Sequence, residues 1–320
     1  MADSSVRLAL RRARRRATFL VARTLVRAIG FTQAMRVGGW AGELQYRLDL
    51  AGRRRLQHDI AGVLGRPAGD AGVAALLREA YRASNGAVLE TMAMLDRRPP
   101  DDVLAAHAEI EGLDHLRDAL AGGRGAILLA AHMGNAALLP ARLAALGWPV
   151  AVVYREARMM SAGFFQQGLE RYGIEGILAN AGIRAYARMV AALKKGAVVF
   201  IMLDQGVKHA KDGMLQRFVG KDMPMPAGPA QLARTARAPV LPVLTSAASP
   251  RWRFEIGAPV ALGGARLEDD VATLCGVSER QILQHPQLWS WHHRRWRRFP
   301  LAAATTSASA NEPTPSAAVR

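Results

Sequence analysis

Three short apolar runs, each set off by glycine or proline and each ending on polar residues, constrain this chain more than any other feature. They are Ala126–Ala131, Val150–Tyr154 and Ala197–Leu203. Each is too short for an independent helix and apolar enough to be a strand buried on both faces. The segments between them read as helices that stop at Gly147, Gly173 and Gly196, the last carrying Lys194 and Lys195 in its final turn. Strands and helices alternating in this way predict an α/β fold with a mostly parallel central sheet flanked by helices. Further short strands are expected at Ala108–Glu111, Ile177–Leu178, Pro239–Thr245 and Trp252–Ile256, with helices over Leu113–Ala121 and Gly228–Arg237. Residues 207–226 read as a loop.

Open parallel sheets bind ligands beyond the C-terminal ends of their strands. Polar residues stand there in all three runs: His132 after the first, Tyr154-Arg155 closing the second, Asp204-Gln205 after the third. Gly134 and Asn135 make the turn after His132, and Asn135 is placed to cap a helix starting near Ala136. A lone histidine is more often structural than catalytic, but three polar groups converging on one rim favour chemistry at His132. The chain has no GxSxG, GxxxxGK[ST], HExxH or dinucleotide GxGxxG after a strand. Its one cysteine, Cys275, excludes an internal disulfide framework and a multi-cysteine metal site. Neither a metal nor a cofactor is implied.

Forty-three Lys and Arg against 26 Asp and Glu give a net charge of +17, which calls for an anionic partner. Arg7, Arg11, Arg12 and Arg14–Arg16 precede an apolar segment from Ala17 to Met35 that Arg23 and Arg27 interrupt. This is a poor signal peptide and a poor spanning helix. On a helix Arg12, Arg16, Arg23 and Arg27 share one face, against Phe19, Leu20, Val21, Leu25, Val26 and Ile29, as suits a helix lying on an anionic bilayer. The alternative is an arginine-rich helix packed on the domain. Arg53–Arg55 are expected to close a helix, and Asp70 to cap one that runs to Met94. Trp289, Trp291 and Trp296 among His292–Arg298 suit a membrane interface or stacking on nucleic acid. The nucleic-acid reading rests on charge and aromatic content alone and is set aside. Three regions follow: a membrane-associating helical region over 1–100, an α/β domain over 101–300, and a disordered Ala/Ser/Thr/Pro-rich tail over 301–320.

Gly125-Ala-Ile-Leu-Leu-Ala-Ala-His-Met-Gly-Asn135 resembles the first block of the lysophospholipid acyltransferase superfamily, specifically its lipid A biosynthesis (lauroyl/myristoyl) branch. The likeness extends through Ile110–Leu116, Tyr154-Arg155, Met202–Gln205, Pro226–Leu232, Ala238–Val243, His285–Trp291 and His293–Trp296, in family order. The resemblance implies transfer of a fatty acyl group, from acyl carrier protein or acyl-CoA, to a hydroxyl of a lipid A precursor or related anionic glycolipid at the cytoplasmic face of the inner membrane. It makes His132 the base that takes the hydroxyl proton. Backbone amides around Gly134 and Asn135 become candidate donors to the tetrahedral intermediate. Arg155 would fork onto a phosphate, with a surface ion pair to Glu156 as the alternative, and Gln205 joins the substrate-binding group.

One position departs from the pattern. The family motif places Asp or Glu five residues after the histidine, and this chain has Ala137 there. Alanine cannot orient an imidazole or offset its charge. Another acid can stand in, Asp204 being the best placed and Glu156 the other candidate. Otherwise His132 works alone, or the protein binds lipid or carrier protein without turnover.

Overall fold

The computed structural model describes residues 2–155, 163–207, 210–248 and 251–293. The N-terminal part is three helices. α1 (Ala2–Leu48) breaks at Gly30, whose φ of 72° and ψ of 177° are not helical. α2 (Leu50–Leu64) is capped by Asp49, which accepts from Gly52 N–H, and ends on left-handed Gly65. α3 (Ala71–Asp96) starts where expected, with Asp70 accepting from Val73 N–H. Glycines let α1 and α3 approach backbone to backbone: a Cβ on Gly42 would stand 2.3 Å from the Tyr81 carbonyl oxygen.

The arginines differ from their expected placement. Arg53–Arg55 lie early in α2 rather than closing a helix. Arg23 and Arg27 turn toward the protein, their Nε atoms 2.6 and 2.5 Å from the two oxygens of Asp96 at the end of α3. Burial alone would raise the Asp96 pKa, but the hydrogen bonds from Arg27 and Arg23 outweigh it and hold the carboxyl below its usual range. Half of the supposed membrane-facing stripe is therefore a clamp between helices. Of the apolar residues set against the arginines, Leu20, Val21 and Leu25 are exposed, while Phe19 and Val26 are buried. Arg7, Arg11 and Arg12 lie outside the residues whose side chains are described. Among the described residues no helix is long and apolar enough to cross a membrane.

After α4 (Asp101–His107) come β1 (Ala108–Glu111), α5 (Leu113–Ala121), β2 (Ala126–Ala130), α6 (Leu138–Ala145), β3 (Val150–Tyr154), α7 (Phe164–Glu170), β4 (Glu175–Leu178), α8 (Ile183–Lys194) and β5 (Val198–Met202). β6 (Met214–Phe218) and β7 (Lys221–Met225) form a separate hairpin. α9 (Gly228–Ala236), β8 (Val240–Ala248), β9 (Arg251–Ile256) and α10 (Leu267–Gln284) complete the order. The seven-stranded sheet runs β1-β9-β8-β2-β5-β3-β4. β8, β2, β5, β3 and β4 are mutually parallel, and β9 reverses against β8 with β1 alongside it. Every residue of β2 is buried, as its all-apolar sequence requires. Each fully buried Leu or Ile there contributes ~1.5–3 kcal/mol.

Three expectations need correction. Residues 207–226 are not all loop, because the β6–β7 hairpin occupies 214–225. α6 starts at Leu138 with no side-chain cap, and Asn135 is engaged elsewhere. Trp289 and Trp291 are buried and pack edge to face at 4.7 Å, so neither sits at an interface. Glu156, Arg294–Arg298 with Trp296, and residues 301–320 lie outside the described residues.

Candidate active site

Register builds the centre of the site. β2 and β5 pair in parallel with Ala126 opposite Val198 and Ala130 opposite Met202, a constant offset of 72 residues. Leu203 N–H extends the ladder to the Ala130 carbonyl at 3.1 Å. Continued two residues past each strand, the same offset sets His132 opposite Asp204. The imidazole Nδ1 lies 2.6 Å from Asp204 Oδ1, which also accepts from the His132 backbone N–H at 3.1 Å. Asp204 Oδ2 accepts from the Trp289 indole N–H at 2.8 Å. The carboxylate is wholly buried and has donors on both oxygens.

This arrangement dictates the imidazole's tautomer. With Nδ1–H donating to the carboxylate, Nε2 carries the lone pair. Nε2 lies 3.1 Å from the Gln205 carboxamide nitrogen, which also lies 2.6 Å from His293 Nδ1. His132, Gln205 and His293 all line one cavity of about 520 Å³. Tyr154 and Arg155 line it too, so the three polar groups expected on one rim do meet, β5 standing between β2 and β3. Val152 and Phe200, paired across β3 and β5, line it four residues before the level of Asp204. At ~3.3 Å per strand residue the cavity reaches some 13 Å along the sheet. Its walls are mainly apolar, with Ala87, Val88 and Thr91 of α3 closing one side.

The remaining candidates take other parts. Gly134 lines the cavity with a φ of 50°, and a Cβ there would stand 2.2 Å from the Trp252 ring. Its N–H donates to the Leu288 carbonyl at 3.0 Å and is not available to an intermediate. Asn135 is buried: it accepts from Thr91 Oγ1 at 2.8 Å and donates to Glu90 Oε2 at 2.9 Å, so it fastens the turn to α3 and does not face a substrate. Glu90 also accepts from the Trp252 indole at 2.6 Å. Burial pushes the Glu90 carboxyl above its usual range, and these two hydrogen bonds offset only part of that. Ala137 borders the cavity just before α6, and Arg155 is exposed at its rim. Among the described residues no group of three or more His, Cys, Asp or Glu is arranged to hold a metal.

Sequence reasoning missed Trp289, His293, Glu90 and Thr91. Trp289 and His293 fall in blocks already singled out, but tryptophan among arginines read as an interfacial signal. Glu90 stands on an apolar helix face without other polar residues to mark it.

A histidine–carboxylate pair at the head of an apolar slot is suited to deprotonating a hydroxyl beside a hydrocarbon chain. In comparison with known proteins, the model of the bacterial lipid A biosynthesis acyltransferase family matches residues 7–298. The chain belongs to that family. A phosphatidylinositol mannoside acyltransferase of Mycolicibacterium smegmatis is 25% identical over 276 residues, 85% of this chain and 88% of the relative. A lipid A biosynthesis palmitoleoyltransferase of Escherichia coli is 22% identical over 233 residues, 72% and 74% of the two chains. The chain is accordingly an acyltransferase acting on a lipid or glycolipid acceptor.

Proposed function

We propose that this enzyme transfers a fatty acyl group from an acyl thioester, acyl carrier protein being the favoured donor, to a hydroxyl of a lipid A precursor or related glycolipid. His132 is the general base and Asp204 the acid in place of the one missing at position 137. The observation that carries this reading is the 2.6 Å contact between His132 Nδ1 and Asp204 Oδ1. It gives the imidazole the tautomer a base needs and a buried countercharge for its cation. The acceptor oxygen loses its proton to His132 Nε2 and attacks the thioester carbonyl, and the leaving thiolate takes the proton back. The apolar slot beneath His132 is suited to the acyl chain, and Arg155 at its rim to a phosphate of donor or acceptor. The exposed Leu20, Val21 and Leu25, with Arg14 and Arg16 nearby, support peripheral attachment to an anionic bilayer at the cytoplasmic face of the inner membrane.

The relation to Ala137 separates this reading from that of an impaired relative. Purified protein is incubated with acyl–acyl carrier protein and, in parallel, a lipid A precursor or a phosphatidylinositol mannoside. Wild type should turn over one of them, His132→Ala should not, and Ala137→Glu should bring no gain because His132 Nδ1 already has its carboxylate. An inactive wild type made active by Ala137→Glu would establish the impaired reading instead.

A further inference from the structure

An acyl transfer develops negative charge on the carbonyl oxygen and needs a donor aimed at it. Three consecutive backbone N–H groups, from His132 to Gly134, are already engaged. Those of His132, Met133 and Gly134 donate to Asp204, the Ala131 carbonyl and the Leu288 carbonyl, and Ser290 N–H donates to the His132 carbonyl. The Gln205 carboxamide is placed differently, since its nitrogen faces two imidazoles, 3.1 Å from His132 Nε2 and 2.6 Å from His293 Nδ1. His132 Nε2 carries a lone pair once Nδ1–H is given to Asp204, so the amide nitrogen donates to it. The two N–H bonds of one amide thus satisfy the two rings, which stand 4.9 Å apart between centroids.

We propose that Gln205 is the oxyanion-stabilising donor and that His293 is a positioning residue that holds its carboxamide. The proposal rests on His132 being the base. An acceptor hydroxyl arriving at His132 Nε2 displaces one Gln205 N–H, while the other stays on His293 Nδ1. The displaced N–H is left within about 3 Å of the base nitrogen, where the carbonyl under attack must lie. As the acceptor O–C bond forms and its proton passes to Nε2, the C=O π pair moves onto the oxygen facing that N–H. The pair returns as the C–S bond breaks, and the thiolate takes the proton from Nε2–H, leaving His132 neutral. Gln205 has a long, rotamer-rich side chain, and the hydrogen bond to His293 orders it before substrate arrives.

The test measures kcat and the thioester KM for wild type, Gln205→Ala, Gln205→Glu, His293→Ala, His293→Asn and Arg155→Ala, with His132→Ala as reference and thermal midpoints as a check on folding. Gln205→Glu keeps the shape and removes the N–H. Both Gln205 variants should lose about 10²–10³ in kcat with little change in KM. His293→Ala should lose about tenfold, the loss of one hydrogen bond. His293→Asn, whose Oδ1 can replace Nδ1 as acceptor, should recover most of it. Gln205 variants within about threefold of wild-type kcat overturn the proposal, above all if Arg155→Ala alone shows the large loss. His293→Asn no better than His293→Ala overturns the positioning role. Wild-type activity in His132→Ala would overturn the assignment of the base, and this proposal with it, whatever the Gln205 variants do.

Discussion

Asp204→Asn is the sharpest perturbation of the dyad because the carboxylate's surroundings leave an amide no good orientation. Oδ1 faces two donors, His132 N–H and Nδ1–H, and Oδ2 faces the Trp289 indole N–H. If the amide oxygen stays toward His132, its NH₂ opposes the Trp289 N–H, leaving a buried donor unsatisfied at ~1–3 kcal/mol. If the amide turns over, its NH₂ opposes His132 Nδ1 and the proton moves to Nε2. The lone pair then faces away from the cavity, a tautomer change that costs about 10⁴ in kcat in the serine-protease triad. Stopped-assay kcat for acyl transfer, with a thermal unfolding curve of the same preparation, separates the two. The expected result is a kcat loss of about 10³–10⁴ with the fold retained. A folded Asp204→Asn enzyme within about tenfold of wild type would refute the carboxylate's role in setting the tautomer.

Trp289→Phe removes the indole donor to Asp204 while keeping an aromatic ring against Trp291. It should cost ~1–2 kcal/mol in chemical denaturation and lower kcat about tenfold, whereas an unchanged kcat would count against tight support of Asp204. Gly134→Ala places a methyl against the Trp252 ring on a positive-φ backbone, so destabilisation of ~2–5 kcal/mol is expected from a denaturant midpoint. Asp96→Ala removes the acceptor shared by Arg23 and Arg27 and should cost ~1–2 kcal/mol at pH 7, since both arginines remain partly hydrated. Because the folded pKa of Asp96 lies below its unfolded value of ~3.9, that contribution is present above the unfolded value and is lost as pH falls through the folded one. The gap between wild type and variant in unfolding experiments should therefore close in acid, and a gap that persists there would contradict the ion-pair account.

The sheet was legible because its strands announce themselves twice, by short apolar runs and by the glycines that stop the intervening helices. His132 and Asp204 were legible by the same logic, since each follows such a run at its polar end. The β6–β7 hairpin was hidden by its turn. Val219 and Gly220 form the two-residue connection with φ of 49° and 74°, and a β-branched residue is a poor advertisement for a left-handed position. Valine is held there by tertiary contact, being buried with its N–H donating to Glu279 of α10 at 3.0 Å. Asn135 misled for a related reason. Its place before a helix has the form of a cap, but Thr91 and Glu90 lie 44 and 45 residues away in sequence and claim its side chain through tertiary packing. The arginine stripe divided because helical spacing reveals a shared face but not that Asp96 waits beneath part of it.

The constant register between β2 and β5 means that the dyad's geometry is a property of two neighbouring ladder positions and owes nothing to the length of chain joining them. Insertions, deletions or exchanged helices between Ala137 and Val198 can alter the cavity and its rim while His132 and Asp204 keep their spacing. An acid borne on the helix after the histidine would tie its geometry to the turn at Gly134. One borne by the adjacent strand is insulated from that turn, which leaves the residues around Ala137 open to be recruited for substrate choice.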